Sequence, residues 1–383
     1  MHFACISTIN KKTTPDVPSG QEIWTAKFIL EEVKRGHTID LFAVKGSLNI
    51  VGKIDLHPTL EKEFDQLKNE EYFKKYQDKE TRYFFGAIFT KIALQLKKHE
   101  SEYRFILDNS NYPPLPPNAD QYEVPYIIVV HTPGNRKYVS FFEYFPYPKN
   151  LYYVFPSRLE YKKATMIPDG NKFYIPHGID IEEYKYIEDN EKTNLLWFGR
   201  IDSRLPKGAI EALVVSNTLK INLNFYVHNE DNDYFEKSIK PLFSNYTLVN
   251  LNAPKDSFFK NAKLFIFAGS DKELFGLVLL EAMCTGTPIV SYARGAVPEI
   301  IQDGKTGFIV NPSADDIRGN FLVKKTGVEG LCEAVQKIYS MPQDQYREMR
   351  RNCRSHVEKN FTLERMTNEY EKVYKKILNG KFI

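Results

Sequence analysis

Cysteine is scarce in this sequence. Its four cysteines, Cys5, Cys284, Cys332 and Cys353, form no C-x-x-C pair and no paired metal-ligand pattern. A disulfide-held secreted domain and a zinc module are therefore poor models for the chain. We expect reduced thiols in a cytoplasmic protein.

Long apolar runs are also missing. No stretch approaches the roughly 18–20 residues that a membrane-spanning helix needs, so we expect membrane contact to be peripheral at most. The amino-terminal segment lacks the charged and apolar regions of a signal peptide, and His2–Thr8 instead predicts a buried first strand.

Neither sign of charge dominates. The chain carries 52 basic and 49 acidic residues, for a net charge of +3, which argues against a dedicated nucleic-acid binder. There is no G-x-G-x-x-G dinucleotide fingerprint. The motifs described below contain no Asp-x-Asp metal element, so we expect neither a metal nor another cofactor.

Apolar residues make up 42% of the chain, with 24 tyrosines and 27 phenylalanines, enough for full cores. Its 383 residues suit two domains. Short apolar segments alternate with longer amphipathic ones, which predicts an α/β fold with mostly parallel sheets. The predicted helices are Glu22–Arg35, Glu80–His99 and Leu363–Leu378.

Two series of strands are predicted, one in each half of the chain. The first comprises His2–Thr8, Thr38–Ala43, Arg104–Leu107, Tyr126–Val130 and Tyr152–Phe155. The second comprises Asn194–Phe198, Asn222–Val227, Thr247–Val249, Leu264–Ala268 and Pro288–Ser291. A polar stretch, Glu182–Thr193, separates them. We therefore predict two doubly wound, Rossmann-like domains, 1–187 and 188–360, followed by a carboxyl-terminal segment, 361–383.

The most informative segment is Glu273-Leu-Phe-Gly-Leu-Val-Leu-Leu-Glu281. Eight residues are a little over two helical turns, so both carboxylates can lie near one face of a helix. Phe275, Gly276 and Leu277 indicate a tight junction from loop to helix, where backbone N–H groups and the helix dipole can receive an anion. Two carboxylates around an anion site suit a diphosphate-linked sugar, with one Glu on the sugar and the other on the ribose.

The segment resembles the E-x7-E motif of retaining glycosyltransferase family 4. The fuller family pattern is matched from Glu273 to Val290, with Cys284 where Ala is usual, and the resemblance continues to Phe308. It implies a GT-B fold, in which the two domains face each other across a cleft. It also implies that the last helix crosses back to the first domain.

Two cations follow the first strand of the second series, in Phe198-Gly-Arg200 and Pro206-Lys207-Gly208. The family often has a similar Gly-Arg and Lys-Gly pair, which binds the donor diphosphate. A guanidinium and an ammonium would neutralise the diphosphate and stabilise the charge that develops as the phosphate leaves. The alternative is ordinary surface cations at a strand end.

The first domain offers further candidates. Gly20, after the first strand, could let the backbone approach a phosphate or sugar closely, although Ser19 stands where the family often has another Gly. The alternative is a simple turn from strand to helix. His131 ends a strand, and many enzymes of the family have a His there close to the sugar; a capping or core His is the alternative. Asp108 and the aromatic residues Phe141 and Tyr144 are weaker candidates for contacting an acceptor. For the two aromatic residues, packing in a core or an interface is the alternative.

The resemblance therefore implies a retaining, metal-independent hexosyltransferase that moves a sugar from a nucleoside-diphosphate donor, with UDP favoured, to an acceptor hydroxyl. Glu281 would bind ribose, and Glu273 would contact the sugar or the developing positive charge. Two alternatives stay open: another GT-B enzyme, such as a nucleotide-sugar epimerase or hydrolase, and a non-catalytic nucleotide-sugar-binding protein. The sequence leaves the acceptor and the oligomeric state undetermined.

Overall fold

The fold is taken from a computed structural model. It describes residues 1–17, 19–67, 79–110, 116–132, 142, 146–186, 193–201, 208–229, 236–237, 240–249, 258–259, 261–270 and 273–380. Two compact units divide the chain. Unit 1 is Met1–Pro176 together with Met366–Ile383, and unit 2 is His177–Arg365. The division at Pro176 precedes the polar stretch at which the sequence placed the domain boundary.

Unit 1 is built on a seven-stranded sheet whose strands are all parallel, in the order β3-β2-β1-β4-β5-β6-β7. The strands are β1 (His2–Ile6), β2 (Thr38–Ala43), β3 (Ile54–Pro58), β4 (Ile106–Asp108), β5 (Tyr126–Val129), β6 (Leu151–Phe155) and β7 (Lys172–Tyr174). Nearly every residue of the inner strands β1, β2, β5 and β6 is buried, because both of their faces are covered.

The helices before residue 176 are α1 (Gly20–Lys34), α2 (Phe64–Leu67), α3 (Lys79–His99) and α4 (Arg158–Lys163). On α3, Ile88, Phe89, Ile92 and Leu96 are buried, and this spacing is that of an apolar helix face packed on a core. The amino end of α4 is capped by Ser157, whose hydroxyl oxygen accepts a hydrogen bond from the backbone N–H of Glu160.

Unit 2 contains a six-stranded parallel sheet in the order β10-β9-β8-β11-β12-β13. Its strands are β8 (Asn194–Ile201), β9 (Leu223–Asn229), β10 (Tyr246–Val249), β11 (Ala262–Phe267), β12 (Ile289–Tyr292) and β13 (Gly307–Val310). Its helices are α5 (Ala209–Leu219), α6 (Leu277–Cys284), α7 (Val297–Ile300), α8 (Gly327–Tyr339) and α9 (Gln343–Asn360).

Both faces of this second sheet are covered by helices. Leu279 and Met283 of α6 belong to one core cluster with Val357 of α9. Leu213 of α5 and Leu331 of α8 belong to another. The sheet is therefore doubly wound, as predicted.

The last helix, α10 (Leu363–Leu378), packs on unit 1 from Met366 onward. The Tyr370 ring lies 4.7 Å from that of Phe28, and the Tyr374 ring lies 4.4 Å from that of Phe105, centroid to centroid. The guanidinium of Arg35 also donates a 2.7 Å hydrogen bond to the Asn368 side chain.

The predicted α/β architecture with two doubly wound sheets is confirmed. Three strands were not predicted from the sequence: β3, β7 and β13, each at the edge of its sheet. Within the part of the chain that the structure describes, no helix has the length and apolar character required to cross a bilayer.

Candidate active site

Sheet topology indicates where a ligand would bind in each unit. In doubly wound sheets, ligands bind beyond the carboxyl ends of the strands at the point where the strand order reverses. That point lies between β1 and β4 in unit 1 and between β8 and β11 in unit 2. Asp108 ends β4, Arg200 lies in β8 and Glu273 follows β11, whereas His131 follows β5.

In unit 1, Gly20 is the first residue of α1 and is exposed. A Cβ at Gly20 would meet nothing within 4 Å, so the space beside it is open. The helix begins with a compact polar cluster, in which the hydroxyls of Thr8 and Ser19 both donate hydrogen bonds to the buried carboxylate of Glu22. The approach of a ligand to Gly20 remains a prediction.

His131 follows β5, and its Nε2 lies 2.9 Å from the side-chain oxygen of Asn109, the residue after β4. The imidazole sits against the indole of Trp24, with ring centroids 4.8 Å apart in an edge-on arrangement. Burial lowers the pKa of His131 to about 3, because the imidazolium form would lose its hydration. His131 is therefore neutral at physiological pH.

Asp108 is buried at the end of β4. Its carboxylate accepts a 2.8 Å hydrogen bond from the Tyr126 hydroxyl and a 2.7 Å bond from the backbone N–H of Ser110. Burial raises the pKa of this carboxyl above its ordinary value. The adjacent Asn109, rather than Asp108, is the residue that reaches His131. The other proposed acceptor residues, Phe141 and Tyr144, lie outside the described residues.

In unit 2, a close backbone contact marks the reversal point between β8 and β11. Gly208 caps the amino end of α5 with a φ of 78°, and a Cβ there would lie 2.5 Å from the carbonyl carbon of Ala268. Only glycine fits both this conformation and this contact. The backbone of Arg200 lies in β8, whereas its side chain and the whole of Lys207 lie outside the described parts of the chain.

The junction from loop to helix predicted at Phe275–Leu277 is present. Gly276 has a φ of 89° and caps α6, which begins at Leu277. The first turn of a helix presents backbone N–H groups without intrahelical acceptors, so this end of α6 is suited to an anion. Phe275 is buried and its ring lies 5.1 Å from that of His177, edge to face.

The two carboxylates do not share one helix face, because α6 begins only after the left-handed Gly276. Glu273 is therefore a loop residue, half-buried, with its backbone N–H donating to the carbonyl of Ser270 at 3.1 Å. Glu281 lies within α6 and is 8% exposed. Only the shared helix face is corrected: the structure places Glu273 at the entrance to the helix and Glu281 within it, in the order that the motif predicts.

Tyr184 is one partner of Glu281. Its hydroxyl donates a hydrogen bond to the Glu281 carboxylate, and burial together with this negative charge raises the pKa of the phenol. The backbone carbonyl of Tyr184 in turn accepts a 2.7 Å hydrogen bond from Arg354 of α9. The segment that contains Tyr184 is thus tied to two helices of unit 2.

The sequence did not indicate a role for Arg294, which follows β12. Its guanidinium donates a 3.2 Å hydrogen bond to the carbonyl of Gly269 and lies 5.1 Å above the ring of Tyr292. Gly269 follows β11 on the loop that leads to Glu273. A cation directly after a strand, in Ser291-Tyr-Ala-Arg294-Gly295, is the sequence signal that could have identified it.

Two clusters of described residues have donor atoms close enough to hold a metal ion: Glu32, His37 and Glu371, and Asp40, Asp55 and His57. Neither includes a residue of the predicted site. In the first cluster, Nδ1 of His37 faces the amino group of Met1 at 3.1 Å. In the second, Asp40 accepts hydrogen bonds from His2 and from Tyr103.

Comparison with known proteins supports a glycosyltransferase with this fold. Residues 184–356 match the family model described as Glycosyl transferases group 1. N-acetyl-alpha-D-glucosaminyl L-malate synthase of Bacillus anthracis is 34% identical over 116 residues, which are 29% of this chain and 27% of that relative. The chain thus spans 27% of the length of this curated relative in the alignment.

Solved structures match nearly the whole chain. Sucrose-phosphate synthase from Thermosynechococcus elongatus has a TM-score of 0.74 and 16% identity, over 99% of this chain and all of that one. The Anabaena protein HepE, in complex with UDP and glucose, has a TM-score of 0.67 and 13% identity, over 98% of this chain and all of that one. The fold is therefore the predicted GT-B fold, and the finer assignment to family 4 stays a prediction.

Proposed function

We propose that this chain is a retaining, metal-independent glycosyltransferase that moves a sugar from a nucleoside-diphosphate sugar to an acceptor hydroxyl. The observation that carries this proposal is the segment from Glu273 to Glu281. This segment follows β11, a strand at the reversal point of the sheet. It carries the partly buried carboxylate of Glu273, then the amino terminus of α6, then the buried carboxylate of Glu281. The segment also lies within the residues that match the glycosyltransferase family model.

The donor nucleotide would be held by unit 2. The Glu281 carboxylate, oriented by Tyr184, would accept hydrogen bonds from the two ribose hydroxyls. The backbone N–H groups at Gly276 and Leu277 would receive the diphosphate. Arg200 and Lys207 would neutralise its remaining charge, a role for which cationic side chains near a strand end are suited.

The transferred sugar would be contacted by Glu273, whose carboxylate would bind sugar hydroxyls or stabilise positive charge at the anomeric carbon. Gly20 and His131 are proposed to contact sugar or phosphate groups of the substrates. Because His131 is neutral, it would act through hydrogen bonding and not as a charged acid.

Retention would follow from attack on the same face that the leaving group departs from. The bond between the anomeric carbon and the diphosphate oxygen breaks, and the acceptor oxygen forms the new glycosidic bond. The proton of the acceptor hydroxyl passes to the departing phosphate oxygen, so that no protein nucleophile or metal is required. Arg200, Lys207 and the amino terminus of α6 would stabilise the negative charge on that phosphate oxygen.

UDP is the favoured nucleotide. The support is that a structure with the same fold was solved with UDP and glucose. Thermal unfolding with UDP, GDP, ADP, TDP and CDP and their sugar conjugates, all in EDTA, would test this. A nucleotide at one hundred times its dissociation constant should stabilise the protein by about 2.7 kcal/mol.

The test needs two variants. Glu281→Ala should abolish the shift that the matching nucleotide gives to the wild type, whereas Glu348→Gln, at an exposed position on α9, should keep it. No shift with any nucleotide would contradict the donor site. If a nucleotide sugar binds, proton NMR can monitor the reaction with an acceptor. A product that keeps the anomeric configuration of the donor identifies a retaining transferase. An epimerase, a hydrolase and a non-catalytic binder would give no such product.

A further inference from the structure

Two carboxylates and an imidazole lie together at the β3 edge of the unit 1 sheet, whereas its reversal point lies between β1 and β4. Asp40 of β2 and Asp55 of β3 are register partners on neighbouring parallel strands, so their side chains leave the sheet on the same face. His57 follows Asp55 by two residues and shares that face. Donor atoms of the three side chains all lie within 4.8 Å of one another.

The imidazole of His57 is held in place, but its Nε2 lacks a well-aligned hydrogen bond. The ring stacks on Phe42 of β2, with centroids 4.7 Å apart. Nε2 is shielded from solvent, and among the described residues it has no acceptor in hydrogen-bonding geometry. An oxygen of Asp40 lies 3.2 Å from Nε2 and an oxygen of Asp55 lies 3.7 Å from it. The Asp40 oxygen is therefore close to Nε2 but lies to one side of the N–H axis.

Donor atoms placed in this way are typical of a metal site, because ligands point at a common centre and not at one another. Zn²⁺ binds His nitrogen and carboxylate oxygen at about 2.0–2.2 Å, so the ligand atoms of a tetrahedral site are about 3.3–3.5 Å apart. The distances of 3.2 and 3.7 Å from Nε2 of His57 lie on either side of this range. The Asp55 side chain is 76% exposed, so it can move the short distance that remains and gives the site an opening to solvent.

The Asp40 carboxylate is held by hydrogen bonds that are compatible with a bound cation. Its Oδ2, the oxygen that faces His57, accepts a 2.7 Å hydrogen bond from the buried Tyr103 hydroxyl. Its Oδ1 lies 2.8 Å from Nε2 of His2. A carboxylate oxygen has two lone pairs, so Oδ2 can accept this bond and also ligate a metal. Partners of this kind orient ligating carboxylates in metal sites. The Asp40 carboxylate also raises the pKa of His57, so this part of the sheet already attracts positive charge.

We propose that Asp40, Asp55 and His57 bind one Zn²⁺ ion, and that the ion links the edge strand β3 to β2. An imidazole with two carboxylates suits Zn²⁺ better than Mg²⁺ or Ca²⁺, which prefer oxygen ligands alone. The two carboxylates balance its charge, and water would complete the coordination. Strand β3 has the most to gain, because only Ile54 of its five residues is buried. The site is separate from the proposed sugar transfer, which uses no metal.

Calorimetric titration of the full chain with ZnCl₂, after removal of metals with EDTA and dialysis, tests the site. The wild type should bind Zn²⁺ at this site and unfold at a higher Tm in Zn²⁺ than in EDTA. Loss of a residue that only orients a ligand changes metal affinity by about 10–100-fold. Tyr103→Phe should therefore raise Kd by about tenfold or more, and loss of a ligand, in His57→Gln or Asp55→Ala, by at least about 100-fold. Asp55 is exposed, so Asp55→Ala keeps the test valid if another variant does not fold.

His99→Gln is the matched control. His99 pairs with the single carboxylate of Glu102 at 2.8 Å, so its loss should leave the affinity for Zn²⁺ unchanged. Anomalous diffraction at the zinc edge, from crystals grown with ZnCl₂, should show the ion between Asp40, Asp55 and His57. An ion found instead at Glu32, His37 and Glu371, or equal affinities in the wild type and Asp55→Ala, would overturn the proposal.

The link between strands needs its own measurement. Added Zn²⁺ should slow amide hydrogen exchange in β3 of the wild type and leave it unchanged in His57→Gln. Zn²⁺ bound at the site without slower exchange would show that the ion does not hold the edge strand. Nucleotide binding is measured in EDTA, so a failure of the Zn²⁺ site leaves the proposed sugar transfer untouched, and the reverse also holds.

Discussion

The backbone of Gly295 lies directly against the carbonyl oxygen of Glu273. A Cβ built on Gly295 would come closer than 3.0 Å to that oxygen, and Gly295 has a φ of 53°. The turn after β12 therefore fixes the loop that carries the candidate catalytic carboxylate, and it does so through a contact that only glycine permits.

Gly295→Ala should therefore displace Glu273. We expect a loss of about 1–3 kcal/mol in the free energy of unfolding, from the strained backbone and the overlap with the loop, together with loss of turnover. Urea unfolding and an assay with the matching nucleotide sugar measure the two effects. Gly86→Ala is the control, because a Cβ at Gly86 in α3 meets nothing within 4 Å and alanine favours a helix. Equal effects of the two substitutions would refute the proposed support of Glu273.

Most of the strands that the sequence patterns predicted are largely buried, but β10, an edge strand in which Thr247 and Leu248 are exposed, was predicted as well. Thr38–Ala43 was predicted with the bounds that β2 has, and every residue of this inner strand except Thr38 is buried. The edge strand β3 escaped prediction because only Ile54 of its five residues is buried. In β13 the first residue is Gly307, whose close approach to Ile289 of β12 leaves no room for a Cβ. In a sequence, a glycine at a strand end predicts a turn and therefore hides the strand.

The local structure of the candidate site was predictable where a motif extends over many residues. It was less predictable where the contact depends on which one of two neighbouring residues faces the site. The sequence predicted the junction at Gly276, which the structure shows, whereas the roles of Glu273 and Glu281 stay predictions. That junction already implies that Glu273 precedes the helix, and the structure adds that Gly276 is left-handed, with a φ of 89°. The sequence also favoured Asp108 over Asn109, because neighbouring residues at a strand end point in opposite directions and the pattern alone does not fix which one reaches the next strand.

Stability at alkaline pH should depend on Glu32, which is fully buried where α10 meets α1. Its carboxylate lies 3.5 Å from Nε2 of His37 and 3.5 Å from the Tyr374 hydroxyl, while Glu371 also contacts Nε2. Burial, and then the charge of Glu371, raise the pKa of Glu32 from 4.5 to about 8. Above pH 4.5 the unfolded chain releases this proton while the folded chain keeps it, so stability falls as pH rises toward 8.

Glu32→Gln should remove this dependence. Between pH 6.5 and pH 8, the urea-derived free energy of unfolding should fall in the wild type by up to about 1.4 kcal/mol per pH unit more than in the variant. The pKa of His37 is lowered, mainly by burial, so its effect is a loss of stability below pH 6.5, outside this window. Glu61→Gln, at an exposed ion pair with Lys45, should follow the wild type. Parallel curves for wild type and Glu32→Gln would contradict the prediction.

Tyr184→Phe should weaken donor binding without changing the fold. The substitution removes the hydroxyl that orients Glu281 and leaves the ring packed in the core. A lost hydrogen bond of this kind costs about 1 kcal/mol, or roughly a fivefold higher Kd for the nucleotide. Isothermal titration measures it. Tyr161→Phe in unit 1 is the matched control and should leave Kd unchanged; an unchanged Kd in Tyr184→Phe as well would show that Glu281 needs no such support.

The two carboxylates of the motif should separate binding from chemistry. Glu281→Gln removes a ribose contact that is the same in the ground state and the transition state, so KM for the donor should rise while kcat changes little. Glu273→Gln removes a charge that matters most as positive charge develops at the anomeric carbon. Its kcat should fall by about 10²–10³-fold with little change in donor Kd. Steady-state kinetics together with titration of the nucleotide sugar measure both, with Glu348→Gln as the control. The opposite pattern, with Glu273→Gln abolishing binding and Glu281→Gln abolishing only turnover, would reverse the proposed roles.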